Sequence, residues 1–420
     1  MSAPQPLHYE VDLPTGHLSV QVEQARMPFD SLLGFAARAN AKRGFLFLSK
    51  VLGKHWPVTP ANMHAIHLDL ASQIPAALPG PVLFIALAET AIGLGQGVFE
   101  AWLANRHDNP AGSDQTSPPA LHERKNQTGQ QGDALPGALF LHSSRYRVGN
   151  GELIEFAEAH SHAPRQFLHV PADPALAKLL AQAQTLVLVD DEASTGNTFV
   201  NLCHALRLHC PHLRQVHLAL ITDFMGATTR AALAGRFGLP LTIGATLSGQ
   251  YQFSPGQLQP GTDAAQRFDA NGENGASTAF GRLGIARALG SGSITALARR
   301  LCQQISPQEP VLVLGTGEFM HPAFLLAQAL ENLGLDVKVQ ATTRSPVLHW
   351  GAVDARLQFI DNYGEGIANH LYNTTSGQYK HVFICHETGT NPALFQLAQM
   401  LQGRLFHFQS EAHIEEIPVC

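Results

Sequence analysis

The sequence predicts an α/β protein of two domains with mainly parallel sheets. Three observations predict it. The chain of 420 residues is long enough for two domains of ordinary size. Short apolar runs recur along it, at Phe45–Leu48, Val82–Ala86, Ala138–His142, Leu186–Val189, Val216–Ile221, Val311–Leu314, Val337–Ala341 and Val382–Cys385. Several are unbroken rather than alternating, the pattern of strands covered on both faces. Amphipathic stretches follow several of them, at Gly97–Asn105, Asn197–Leu208 and Pro322–Leu333. Strand–helix alternation places ligands at the carboxyl ends of the strands.

Composition narrows the class. Apolar residues make up 45% of the chain and charged residues 14%, which supports packed cores. The net charge of -6 offers no global basic field for nucleic acid or an anionic membrane. The start, Met1 to Leu13, lacks a secretory pattern, and the most apolar stretch, Pro81–Gly95, is interrupted by Glu89 and too short to span a bilayer. The five cysteines are scattered without a CxxC, so a reduced, cytoplasmic protein is expected. Most of the 22 histidines lack metal spacing, and compositional bias accounts for them.

Two segments break the strand–helix pattern. Residues 106–136, rich in Pro, Gly, Gln, Asn and Asp, read as a mobile insertion. Residues 248–280 read as a linker region, which divides the chain into 1–247 and 281–420. A weak echo joins the two halves. Val82–Glu89, His142–Arg145 and Leu188–Glu192 recur as Val311–Glu318, Ala341–Arg344 and Ile384–Glu387. The second half is then a diverged copy of the first, or another Rossmann-like domain of the same topology.

The stretch Leu186-Val187-Leu188-Val189-Asp190-Asp191-Glu192-Ala193-Ser194-Thr195-Gly196-Asn197-Thr198 carries the chemistry. A buried strand ends in paired carboxylates, and a loop of small residues then opens a helix. Free N–H groups and the positive dipole end make such a loop a phosphate site. Gly196 allows close backbone approach, and Thr195 and Thr198 add hydroxyls. The two aspartates cannot share that phosphate, but they can bond vicinal sugar hydroxyls. A ligand with a phosphate and a nearby diol fits both parts. A two-component receiver also follows a strand with acids, but it has no use for Ser-Thr-Gly-Asn-Thr, and a P-loop needs an absent Gly-Lys-Ser/Thr ending.

This stretch resembles the 5-phosphoribosyl-1-pyrophosphate (PRPP) motif of type I phosphoribosyltransferases, which implies that fold for the first half. More widely the chain resembles phosphoribosyltransferase-like proteins with a C-terminal TRSP domain, found in biosynthetic clusters with tellurium-resistance genes. The matching segments are Lys42–Val58, Ala88–Gly95, His160–Ala163, Gly315–Phe319, Thr343–Pro346, Asp361–Gly366 and Cys385–Thr388. The resemblance implies a Mg²⁺-dependent enzyme that transfers phosphoribose from PRPP to a base-like acceptor, or runs the reverse reaction, in a nucleotide-like pathway. A non-catalytic PRPP or nucleotide sensor is the alternative.

In that reading Asp190, Asp191 and Glu192 form the catalytic set, and the aspartates hold the ribose hydroxyls and, through PRPP, Mg²⁺. Ser194 to Thr198 cradle the 5′-phosphate. Ser194 stands where purine-using members often carry an acid, which puts a standard purine acceptor in doubt. Ala88, Glu89 and Thr90 occupy the place of the pyrophosphate loop, with Lys54 and Arg145 as its cations; Lys50 and His55 also sit near loop ends. His160, His162 and Glu158 are expected on the acceptor side or in a lid. Gly315, Thr316, Gly317, Arg344 and Ser345 are expected to form a ligand site in the second half. A homodimer is expected by resemblance alone.

Overall fold

The computed structural model describes residues 7–38, 43–108, 137–157, 165–256 and 280–419. The first half begins with β1 (Leu7–Leu13), β2 (Gly16–Ala25), the single turn α1 (Phe29–Leu32), and the hairpin β3 (Leu33–Ala37) and β4 (Phe45–Ser49). Next come α2 (Pro60–Gln73), β5 (Val82–Ala86), α3 (Ile92–Asp108), β6 (Ala138–His142), and the hairpin β7 (Leu153–Ala157) and β8 (Arg165–His169). It closes with α4 (Pro174–Gln182), β9 (Thr185–Ala193), α5 (Asn197–Leu206), β10 (Gln215–Asp223), α6 (Gly226–Phe237) and β11 (Leu241–Pro255).

Seven of these strands form one sheet in the order β1-β2-β11-β10-β9-β5-β6. From β11 to β6 all neighbours are parallel. Only the β1–β2 ribbon joins antiparallel. The unbroken apolar runs have a direct cause. In β9, Val187 and Val189 enter one core while Leu186 and Leu188 enter the core on the opposite face. Both faces are covered, so alternation with polar residues is absent. Residues 248–255, expected in a linker, instead continue β11 against β2; Tyr251 and Phe253 pack on Phe45. Arg106 to Asp108 end α3, and the rest of the expected insertion lies outside the described residues.

The second half runs α7 (Gly292–Cys302), β12 (Val311–Gly315), α8 (His321–Asn332), β13 (Val337–Ala341), the hairpin β14 (Arg356–Ile360) and β15 (Ala368–Tyr372), β16 (His381–His386), α9 (Pro392–Leu401), β17 (Arg404–Phe408) and β18 (Ile414–Ile417). Its sheet has the order β13-β12-β16-β17-β18, parallel except for β18. The echo is now a matter of topology. The order β6-β5-β9-β10 in the first sheet matches β13-β12-β16-β17 in the second, and a two-stranded antiparallel hairpin follows β6 and β13 alike. Register agrees: Ala86 pairs with His142 and Val189, and Gly315 with Ala341 and Cys385.

The halves interlock. Val58 bonds Val339 on the open edge of β13, and Val58 and Met63 belong to the core beneath the second sheet. On the other side, Leu348 and Ala352 donate backbone bonds to Ala37 and Phe35 of β3. Ala36, Leu46 and Leu48 pack there with Val347, Val353 and Tyr372. The β3–β4 hairpin is therefore clamped between the two domains. No described helix is long and apolar enough to cross a membrane.

Candidate active site

The end of β9 leaves the apolar cores at Asp190. Asp190, Asp191 and Glu192 line a cleft of about 200 Å³ at the carboxyl edge of the first sheet. Asp190 Oδ1 accepts the Asp191 N–H at 2.9 Å. Asp191 Oδ1 accepts the Thr90 hydroxyl at 3.0 Å, which ties the acids to the next loop. Glu192 is held by Arg43 at 2.5 Å. The turn that follows adopts the expected form. Gly196 has φ +69°, and α5 starts without a side-chain cap. The Asn197 N–H makes only a long bond to Thr195 Oγ1, at 3.4 Å, so the helix start keeps capacity for an anion. Ser194, Thr195, Asn197 and Thr198 are part-exposed and flank the cleft rather than line it. Arg236 donates to the Thr195 carbonyl at 3.1 Å and to Asn197 Oδ1 at 2.6 Å, which sets a guanidinium beside the loop.

Leu87, Ala88, Glu89 and Thr90 form the opposite lip, and the Ala88–Glu89 peptide is cis. Ser143 Oγ accepts the Ala88 N–H at 2.8 Å, and Gln166 donates to the Ala88 carbonyl at 3.1 Å. Burial alone would raise the Glu89 pKa. Lys54, Arg145 and Arg344 outweigh it and hold the carboxyl down at about 2. Lys54 itself corrects an expectation. Its ammonium donates to Glu89 at 3.0 Å, to the Gly317 carbonyl at 2.7 Å and to the Thr342 carbonyl at 3.2 Å. Its three donors are used within the protein, so it ties the domains together and does not line the cleft. Arg145 does line it. Lys50 points elsewhere, to the Asp30 carbonyl and the Trp56 ring.

The second domain supplies part of the same cleft: Thr343, Arg344 and Ser345, from the loop after β13. The site expected within that domain divides accordingly. Arg344 and Ser345 belong to the shared cleft, whereas Gly315, Thr316 and Gly317 are packed away. A Cβ at Gly315 would meet the Phe319 carbonyl at 2.2 Å. Thr316 is buried, and Gly317 donates to Thr342 Oγ1 and accepts from Lys54. Tight strand–helix packing explains those glycines. Arg344 lies 3.1 Å from Glu365 and over the Tyr146 ring, which stacks on Tyr363.

The crevice of the second sheet is filled by the protein itself. Glu318 and Glu387 occupy the register positions of Glu89 and Asp191, three residues beyond the end of β5 or β12 and two beyond the paired residue of β9 or β16. Arg282 donates to Glu387 through two bonds of 2.7 Å and to Glu318 at 2.8 and 3.0 Å. Glu318 also accepts from Ser144 and from the Arg145 backbone in the first domain. This buried network locks the loop that carries Arg145.

The sequence reading missed Arg38 and Arg43. Both come from the β3–β4 hairpin and line the cleft with Leu46, Phe47 and His55. Their partners are remote in sequence, so no local motif announces them. Burial, reinforced by Arg38 and Lys54, pulls the His55 pKa down to about 3, so its imidazole is neutral. Glu158, His160 and His162 lie outside the described residues. Among those described, no group of three or more His, Cys, Asp or Glu is placed to hold a metal ion.

A parallel sheet that ends in paired carboxylates beside a glycine turn and an uncapped helix sets hydroxyl acceptors next to an anion-binding helix start. The chain belongs to the phosphoribosyl transferase family PRTase_2, whose profile matches residues 32–250, just over half of its length. The profile of the TRSP domain that lies C-terminal to PRTase_2 matches residues 279–402. The protein is thus a phosphoribosyltransferase. No curated protein matches it. Among solved structures it is similar to the adenine phosphoribosyltransferase of Trypanosoma brucei, at 11% identity and TM-score 0.33, over 58% of this chain and 86% of that one. It is also similar to the Giardia lamblia enzyme complexed with 9-deazaadenine, at 12% identity and TM-score 0.32, over 52% and 97%. A Staphylococcus aureus hypoxanthine phosphoribosyltransferase shares 11% identity at TM-score 0.23, over 42% and 70%.

Proposed function

We propose that the enzyme takes phosphoribose from PRPP and passes it to a nitrogen acceptor, in a nucleotide-like biosynthetic pathway. One observation carries the reading. Asp190 and Asp191 face a cleft whose other lip is the Ala88–Thr90 loop, with Arg145 and Arg344 at that lip. The aspartates bond the ribose 2′- and 3′-hydroxyls, and Ser194 to Thr198 receive the 5′-phosphate. Ala88, Thr90, Arg145 and Arg344 receive the pyrophosphate. Glu89 stays ionised, held by Lys54 at 3.0 Å and by the field of the two arginines. Magnesium fits a site of this donor type: Asp190 and Asp191 would hold it through the sugar hydroxyls, and it would neutralise charge on the leaving group.

The acceptor nitrogen contributes its lone pair to ribose C1 as the bond from C1 to the pyrophosphate oxygen breaks. The bonding pair leaves on pyrophosphate, and the nitrogen releases its proton to water. The protein's part is positioning and electrostatic stabilisation of the separating charges. Calorimetry tests the assignment. Changing Asp190→Asn together with Asp191→Asn should abolish Mg²⁺-dependent PRPP binding. Unchanged affinity rejects the diol contacts. Pyrophosphate release in the presence of an acceptor separates transfer from mere sensing.

A further inference from the structure

The cleft has two electrostatic neighbourhoods. Glu89, on the pyrophosphate lip, feels Lys54, Arg145 and Arg344. Arg38 feels Arg43, Glu192 and Asp191 instead, so it stands at the sugar end. The arginines there are not equivalent. Arg43 already has a carboxylate, Glu192. Arg38 has none within ion-pair distance among the described residues; its Nη2 donates to the Ser345 hydroxyl at 3.1 Å, and its Nε is buried without a partner. Burial, then Arg43, lowers its pKa to about 10, which leaves it charged at neutral pH. A half-buried guanidinium with carboxylates nearby but none paired with it gains from a ligand that supplies one.

Arg38 also sits at the domain boundary. It follows β3 directly, and the Leu348 and Ala352 bonds to β3 hold that strand against the second domain. Leu46, Phe47, Leu52 and Leu87 contribute to the apolar lining of the same cleft, and the neutral His55, whose Nε2 lacks a partner among the described residues, lines it too. An apolar wall, a planar cationic fork and a neutral imidazole suit a flat ring that bears a carboxylate. We propose that the acceptor is a small carboxylated heterocycle, received by Arg38 and the Ser345 hydroxyl across the domain boundary. The inference rests on the transferase reading and specifies the acceptor's class. It gives the TRSP motif a role: Ser345 aims Arg38.

Matched acid and amide pairs test it. The probes are pyridine-3-carboxylate with its amide, imidazole-4-carboxylate with its amide, and 6-carboxyuracil with its 6-carboxamide. Each is titrated into the full-length protein loaded with Mg²⁺ and PRPP, and binding and pyrophosphate release are measured. The expected result is that at least one acid binds about tenfold more tightly than its amide. Arg38→Gln should reduce that preference to below about threefold and leave PRPP affinity within about threefold. Ser345→Ala keeps the charge and frees the guanidinium, so it should weaken the preference less, by about threefold. Thermal unfolding verifies that both variants fold; if Arg38→Gln does not, Ser345→Ala decides. Amides that bind as well as acids in every pair overturn the proposal. So does an Arg38→Gln protein whose PRPP affinity falls as far as its acid preference, since Arg38 would then serve pyrophosphate. A wild-type protein that does not bind PRPP overturns the transferase reading, and this proposal with it.

Discussion

At the residue scale, the turn after the paired acids shows how local chemistry sets the site. Gly196 sits at φ +69°, where an added Cβ would also meet Leu233 Cδ1 at 2.7 Å. Left-handed backbone costs a non-glycine residue roughly 1–2 kcal/mol, and the contact adds to that. Gly196→Ala should therefore lower stability by about 1–3 kcal/mol and weaken binding of inorganic phosphate. Urea unfolding and a phosphate titration measure both, and an unperturbed variant argues against the turn geometry. The acids and this turn were legible in the sequence because strand, carboxylates, glycine and helix start are contiguous. Arg38 and Arg43 were not. Arg38 meets Ser345 across 307 residues, and Arg43 meets Glu192 across 149. Lys54 was legible as a cation near a loop end, yet its Glu89 and carbonyl partners are tertiary, and they remove it from the cleft.

At the element scale, hairpins share the domain contacts with the edge of β13 and with helix α2. The β14–β15 hairpin ends in Tyr372, whose hydroxyl donates to the Ser345 carbonyl at 2.8 Å and accepts the Val347 N–H at 2.8 Å. That one hydroxyl braces the loop after β13. Removing it leaves a buried donor and a carbonyl short of a partner, a loss of about 1–2 kcal/mol. Tyr372→Phe should reduce stability by that amount and raise the acceptor KM more than it lowers kcat. Unchanged acceptor kinetics would separate this brace from the site. The sheet strands were recognisable from their apolar runs. The hairpins β3–β4, β7–β8 and β14–β15 were not recognised as such, since only Phe45–Leu48 among their strands stood out and their pairing depends on neighbours from the other domain or the adjoining loop.

At the scale of the whole molecule, repetition and burial dominate. Four strands of each sheet share one order, and among the described residues the first sheet's crevice holds the cleft while Arg282 fills the second's. The interior also holds neutral histidines. Burial lowers the pKa of His217 and of His386 to about 4, with His407 adding to the effect at His386. A folded-state pKa below the unfolded value of about 6.5 means that the unfolded chain takes up protons first as pH falls. Stability is thus complete above about pH 6.5 and is lost between there and about pH 4. Each of these two histidines should cost roughly 2 kcal/mol by pH 5. Glu89 adds a second loss at lower pH, between about 4.5 and 2, because its folded pKa is depressed. Denaturant midpoints at pH 7.5, 6 and 5 check the first window, and a flat profile would contradict it.

The sequence by itself determined the class of fold, the central parallel strands, the internal echo and the acid–loop motif, because each is written in residues close together along the chain. Only tertiary structure decided that the second half contributes Thr343, Arg344 and Ser345 to the first half's cleft, that Lys54 is a strut, and that the Gly315–Gly317 turn is packed shut. Those outcomes depend on which side chains meet across hundreds of residues, and local periodicity holds no information on such distances.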